Sequence, residues 1–312
     1  MVKKLIVKII LISLFVFIMY SFYNKITLNE ENNYSTDLPK EINLNSNNIS
    51  DSSTIPDKDS TNVMVIADSH LNEKSFIRIK EIIKKNKIDL LIHLGDHTDF
   101  GSIEELKLAK SLLDNLNVKY FVLPGDRDLA AYGDDKAFFS IFSRNTVYRE
   151  NSFKFLFINN SANFTPLSDL YNAEIKNNIK DSNFIFTSQP IYVEKGNILE
   201  SKFMGSPTAF NFDSITQKNN QKKYLLQRDE ILGAIRKNNN VLIISGDHHR
   251  SSFFQDSVNK SINYHIVGAT AEYLNSEGIT IKQKSFQSQR VSILSIKKDN
   301  SYSIKEIQIF EE

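Results

Sequence analysis

The chain has 312 residues, a formal net charge of +1 and no cysteine. That length allows one large α/β domain with appendages. The near-neutral balance gives no basic field for wrapping nucleic acid, and the missing thiols exclude disulfides, a cysteine nucleophile and a thiolate zinc site. Any metal must therefore sit on His, Asp, Asn or carbonyl groups.

Lys3, Lys4 and Lys8 introduce an apolar run that ends at Tyr23. Counted from Leu5, it is close to the ~20 residues a helix needs to cross hydrocarbon, and Lys8 can snorkel to the headgroups. No small-x-small cleavage site follows it, so residues 1–25 read as an uncleaved signal anchor. Lysines before the span place the N-terminus in the cytoplasm and everything after Tyr23 outside it. Residues 26–60 are acidic and rich in Asn and Ser, which predicts a disordered linker. Residues 61–312 remain for the folded domain.

Residues 62–70, NVMVIADSH, start that domain with an apolar strand that runs straight into Asp68 and His70. Phe76, Ile79, Ile82 and Ile83 then recur at helical spacing over 73–86. Residues 90–99, LLIHLGDHTD, repeat the strand and break at Gly95 to deliver Asp96 and Asp99. A second amphipathic helix spans 102–117, and 119–128, KYFVLPGDRD, ends in Asp126 and Asp128. The domain thus opens β-α-β-α-β. Right-handed crossovers bring the three acidic strand ends to one edge of a parallel sheet, where ligands collect.

Further along, 135–143 reads as helix, 147–159 as one or two strands, and 183–187 as a short strand ending at Ser188-Gln189-Pro190. Residues 195–220 read as a long surface loop and candidate substrate lid, with Phe203, Phe210 and Phe212 as its packing. A helix over 225–237 feeds the strand 241–245, which ends in Asp247, His248 and His249. The alternation in 261–267, 290–296 and 302–309 predicts a second, mainly antiparallel sheet. His93 and His265 read as core histidines. Asp99 and Asp128 read as helix caps or as residues orienting a ligand.

Carboxylates facing one another across a few ångströms raise each other's pKa unless a cation lies between them. Asp68, His70, Asp96 and His249 offer a mixed set suited to Fe, Mn or Zn, while Asp96, Asp126 and Asp247 offer an oxygen-rich set. Asp96 could bridge two ions about 3.5–4 Å apart, the arrangement that clamps a phosphoryl group.

The ordered set Asp68-Ser69-His70, Gly95-Asp96-His97-Thr98-Asp99, Gly125-Asp126-Arg127-Asp128, Ser188-Gln189-Pro190 and Gly246-Asp247-His248-His249 resembles the five motifs of the calcineurin-like metallophosphoesterases. In that family they read D-x-H, G-D-x-x-D, G-N-H-D/E, G-H-x-P-like and G-H-x-H. The resemblance covers residues 62–270, and the turn 267–269 with its following strands resembles the family's closing segment. It implies a four-layer α-β-β-α sandwich, a phosphate-ester substrate and two divalent ions (Mn, Fe, Zn or Mg).

By position, Asp68, His70, Asp96 and His249 keep the family residue type at the first metal. At the second, Asp126, Ser188 and Asp247 stand where the family has Asn, His and His. Arg127 replaces the histidine that acts on the leaving group, and an arginine donates no proton at any relevant pH. Two accounts fit these departures. In one, the domain is a phosphoesterase in which Arg127 and Arg250 bind phosphate and His97 or His248 moves the proton. In the other, it is a catalytically impaired binding or scaffold domain at the cell surface.

Overall fold

The structure is a computed structural model describing residues 60–150, 152–162, 165–194, 203–206, 215–271 and 287–310. The expected anchor and all but the last residue of the linker lie outside these. Among the described residues, no helix is long and apolar enough to cross a membrane.

Chain order begins β1 (Ser60–Ile66), α1 (Glu73–Asn86), β2 (Leu90–His93), α2 (Ile103–Asp114) and β3 (Lys119–Val122). It continues through α3 (Asp126–Leu129), α4 (Lys136–Ile141), β4 (Val147–Glu150), β5 (Phe153–Ile158), α5 (Asp169–Ile179) and β6 (Phe184–Thr187). It closes with α6 (Ile215–Ile235), β7 (Val241–Ser245), β8 (Ser252–Gln255), β9 (Ile262–Ile266), β10 (Arg290–Lys297) and β11 (Tyr302–Gln308).

The strands form two sheets, ordered β11-β10-β1-β2-β3 and β4-β5-β6-β7-β9-β8. Strand alternation explains how they pack. Val63 and Val65 of β1, Ile92 of β2 and Leu294 of β10 face Phe155, Phe157, Phe186 and Ile244 of the second sheet across one core. Met64 and Ile66 point the other way, against Phe76, Ile79 and Ile83 of α1 and Leu106 of α2. Leu156, Ile158 and Ile243 likewise meet Ile175 of α5 and Ile231 of α6 on the outer face of the second sheet. Two sheets back to back with helices outside them make the expected α-β-β-α layering.

The helices start where the sequence supplies a cap. Asn72 accepts the amide of Ser75 at 3.0 Å at the head of α1. Ser102 and Glu105 form a reciprocal capping box on α2, so two otherwise orphaned amides in the first turn are satisfied.

Two expectations need correction. The late strands do not form a separate antiparallel sheet. β10 and β11 extend the first sheet through antiparallel pairing of β10 to β1, while β9 pairs parallel to β7. Helix α6 begins at Ile215, inside the stretch expected to be loop. Of that stretch, 195–202 and 207–214, with Phe210 and Phe212, lie outside the described residues, and Phe203 carries the Arg228 guanidinium 4.6 Å from its ring centroid. In addition, α3, α5 and β8 form where the sequence pattern predicts no element.

Candidate metal centre

Parallel strands β1, β2 and β3 of one sheet and β6 and β7 of the other each end in a loop that faces the same cleft. Asp68, Asp96, Asp126, Ser188, Gln189 and Asp247 line it, one or two from each strand end. The turns are tight enough that Asp68, His70, Asp96, Asp247 and His249 all have φ between 44 and 75°. That left-handed conformation costs a non-glycine residue roughly 1–2 kcal/mol, and such strain persists only where surroundings enforce it.

Here the enforcing contacts are backbone stitches between the loops. The amide of Asp68 donates to the Gly95 carbonyl at 3.0 Å, and those of Ser69 and His70 donate to Asp96 at 2.9 and 3.1 Å. From the other side, the Ala271 amide donates to the Asp68 carbonyl at 3.0 Å and that of Ala269 to His249 at 3.3 Å. Gly125 lies directly against Asp96: a Cβ there would fall 2.0 Å from Asp96 Oδ1 and 2.2 Å from its amide nitrogen. Only glycine fits that approach.

Asp68, His70, Asp96 and His249 each present one ligand atom such that all four lie within 4.8 Å of one another. His249 Nε2 stands 3.5 Å from Asp68 Oδ1, and His70 Nε2 4.0 Å from Asp96 Oδ2. Ligands each about 2.1 Å from a shared ion stand roughly 3–4 Å apart. Asp68 is 1% exposed and Asp96 4%, and Asp68 Oδ2 is buried without a hydrogen-bond partner.

Burial raises the pKa of both carboxyls well above the usual range. The charges of Asp247 and Asp126 push Asp68 further, and those of Asp126 and Asp68 do the same to Asp96. Acids held this way fit a divalent cation. Asp126 and Asp247 are half-buried on the same cleft but outside the cluster of four. Ser188 is buried there, its hydroxyl without a partner.

Supporting residues also have definite places. His70 Nδ1 meets Asp99 Oδ1 at 2.9 Å, which leaves Nε2 turned towards Asp96. The hydrogen bond from His70, followed by the nearby charges of His70 and Arg127, holds the Asp99 carboxyl below the ordinary carboxylate range despite partial desolvation. The Asp128 carboxylate accepts the amides of His97, Thr98 and Gly125 and the Thr98 hydroxyl at 2.8–3.2 Å. It ties the loops after β2 and β3 together, a role its motif position alone does not reveal. His93 is fully buried, with Nε2 2.7 Å from Ser69 Oγ. Burial, then His97 and His70, hold His93 neutral.

The role expected for His97 is not supported by its placement. Its ring is 1% exposed, stacks on His93 at 3.6 Å and lies beside Phe138 and Phe142. Nε2 donates to the Leu123 carbonyl at 3.0 Å, and burial lowers its pKa. A neutral imidazole fixed in this aromatic pocket has no route to a leaving group. His248 is also buried, and Arg250 is half-buried on the same loop as His249. Arg127 is exposed on the first turn of α3, and its amide donates to Asp96 Oδ1 at 3.1 Å.

Back-to-back sheets with carboxylates and imidazoles gathered at their strand ends define an α/β fold of the phosphoesterase type with a candidate metal site. The chain belongs to the calcineurin-like phosphoesterase family, whose profile matches residues 61–271. Among solved structures, it is similar in fold to a dimetal phosphatase from Danio rerio, with a TM-score of 0.51, 10% identity and coverage of 80% of this chain and 97% of that one. It is also similar to a Plasmodium protein described as GAP50, the anchor in the inner membrane complex. There the TM-score is 0.52 and the identity 14%, with 81% and 86% of the two chains covered. No curated protein matches the sequence.

Proposed function

We propose that this chain is a membrane-anchored, metal-dependent phosphoester hydrolase acting outside the cytoplasm on a small-molecule or cell-envelope phosphate ester. The observation that carries the reading is the convergence of Asp68, His70, Asp96 and His249 within 4.8 Å. Those four would hold one ion, and Asp96, Asp126 and Asp247 a second, harder one such as Mn or Mg. Divalent ions bound there supply Lewis-acid polarisation of a phosphoryl oxygen and a water that ionises near neutral pH.

The chain's own residues do the rest. Asp99 fixes the His70 ring, and the Arg127 amide holds Asp96 in place. The exposed Arg127 guanidinium offers a planar fork to two phosphate oxygens. Neither Arg127 nor the buried His97 supplies a proton, which leaves His248, itself largely buried, as the one expected acid, so esters with good leaving groups are favoured. The N-terminal lysines and apolar run support an anchored, extracytoplasmic domain, and the near-neutral charge supports a partner other than nucleic acid.

A second reading, a binding or scaffold domain, is favoured by Arg127 and Ser188 standing where the family keeps histidines. The Plasmodium protein of similar fold is itself described as an anchor. Elemental analysis of the purified full chain, with aryl phosphate hydrolysis alongside, separates the two. Bound metal with turnover supports the hydrolase, whereas no turnover at any Mn concentration supports the scaffold. Protease treatment of intact cells tests the orientation: a domain fully protected until the membrane is broken would reverse it.

A further inference from the structure

The loop that carries His249 is fastened to a part of the chain beyond the family match. Two residues after His249, the Ser251 amide donates to Gln287 Oε1 at 2.8 Å. The Ser251 hydroxyl lies 2.9 Å from the same oxygen and 3.0 Å from Glu306 Oε2. Glu306, on β11, also takes Arg290 Nη1 at 3.0 Å. Arg290, on β10, is 8% exposed. Its stem crosses Gly268 so closely that a Cβ there would lie 2.8 Å from Arg290 Cδ. The Arg290 guanidinium is further fixed by the Ser288 carbonyl at 3.0 Å and hydroxyl at 3.2 Å.

The backbone completes the connection to the ligands. The Arg290 amide donates to the Ala269 carbonyl at 3.0 Å, and the Ala269 amide donates to the His249 carbonyl at 3.3 Å. Two residues on, the Ala271 amide donates to the carbonyl of Asp68. One short segment, 269–271, therefore joins the backbones of two ligands whose side chains stand 3.5 Å apart. Arg290 holds that segment from behind, and Glu306 with Gln287 holds the far side of the His249 turn.

We infer that Glu306, paired with Arg290, is a positioning residue that sets His249 against Asp68 and so tunes divalent-metal affinity. It acts through Ser251 and 269–271 and touches neither metal nor substrate. Hydrogen-bonded partners behind metal ligands are worth roughly 10- to 100-fold in affinity when removed. His249 sits in a left-handed conformation (φ 56°) that needs such external enforcement. The inference rests on the metal-site part of the proposed function and not on hydrolysis.

The test is calorimetric titration of the full chain with Mn and Zn chlorides. Glu306→Ala and Ser251→Ala are each expected to weaken binding about tenfold, while Glu306→Gln, which keeps an acceptor for Ser251, retains most of the affinity. The discriminating measurement is a double-mutant cycle: in a His249→Ala background, Glu306→Ala should cost nothing further. A purely structural hairpin pair would lower the melting temperature of the metal-free chain in Glu306→Ala and leave the dissociation constant unchanged, which overturns the inference. Equal losses with and without His249, or a wild type that binds neither metal, overturn it as well. Altered affinity without any phosphoesterase turnover would sustain the inference and remove the hydrolase reading.

Discussion

Asp96→Asn tests whether the acidic cluster is built for a cation, because the substitution should act in opposite directions with and without metal. Asp96 is 4% exposed, and burial, then Asp126 and Asp68, raise its pKa well above the ordinary value. An amide of the same shape keeps the oxygen that accepts the Arg127 amide and removes the buried charge. Each unit by which burial raises the carboxyl costs the ionised folded state about 1.4 kcal/mol that the amide does not incur. At ~2–4 °C per kcal/mol for a domain of this size, the metal-stripped variant should melt several degrees above the metal-stripped wild type. Added metal at 100 times its dissociation constant should stabilise wild type by about 2.7 kcal/mol and the variant by far less.

The pH dependence follows from the same raised carboxyls. Because the folded pKa exceeds the unfolded one, their contribution is fully present below about pH 4 and is lost as pH rises through the raised value. The contribution of Asp68 and Asp96 to the stability of the metal-stripped wild type should therefore fall from acid towards neutral pH, against the opposite slope that buried His265 supplies. Asp96→Asn should flatten part of that slope, with Asp68 supplying the rest. Calorimetric melting with and without chelator measures all of this. A variant that melts lower than wild type after metal removal, or that responds to metal as wild type does, would refute the reasoning.

Four other substitutions probe separate parts of the molecule. Gly125→Ala should destabilise the fold by about 1–3 kcal/mol through overpacking and weaken metal binding, since its Cβ would displace Asp96. Gly233→Ala, where nothing lies within 4 Å, is the control and should stabilise α6 by roughly 0.5–1 kcal/mol. Arg127→His should raise hydrolysis of alkyl phosphates more than aryl ones, because only the former need a general acid worth roughly 10²–10⁴ in rate; equal effects on both, read from steady-state kinetics, would show that another group already protonates the leaving oxygen. Burial lowers the pKa of His265 to about 3, so the unfolded chain takes up a proton first as pH falls below its ordinary value near 6.5, at a cost of about 2 kcal/mol by pH 5. His265→Gln, with no proton to gain, should lose less stability between pH 7 and 5 in urea titrations.

The strand ends were legible because their physics is local. An apolar run too short for a helix, broken by glycine and followed by acid, has few other uses than a buried strand opening on a site. The residues of the first ligand set stand at those strand ends, and the resemblance to the family's motifs groups them into one set. Pairing was not legible in the same way: alternation over 290–296 and 302–309 identifies strands, but nothing in the residues says that β10 will lie beside β1. Helix α5 gives a weak apolar period because Asn172 shares its buried face with only Ile175 and Ile179, although Ser168 caps it by accepting the Tyr171 amide. His97 shows a different limit. A motif gives a residue's place in the loop and not the direction of its side chain, and here the direction is set by His93, Phe138 and Phe142. The Arg290–Glu306 pair belongs to no motif.

The placement of charge bears on what the cleft requires. Asp68 and Asp96 are enclosed, while the cationic side chain of Arg127 on α3 lies exposed. Arg127 acts on Asp99, which is 72% exposed, and so spends its field on the partner of His70. The inner carboxylates therefore face one another and two imidazoles whose nitrogens stand at 3.5 and 4.0 Å, too far for a strong hydrogen bond. Protonation could relieve that repulsion only by giving up the charge, and it would leave the strained turns at Asp68, Asp96 and His249 without a purpose. A divalent ion would satisfy both carboxylates and both imidazoles together, which is why this cluster is the chain's candidate metal site.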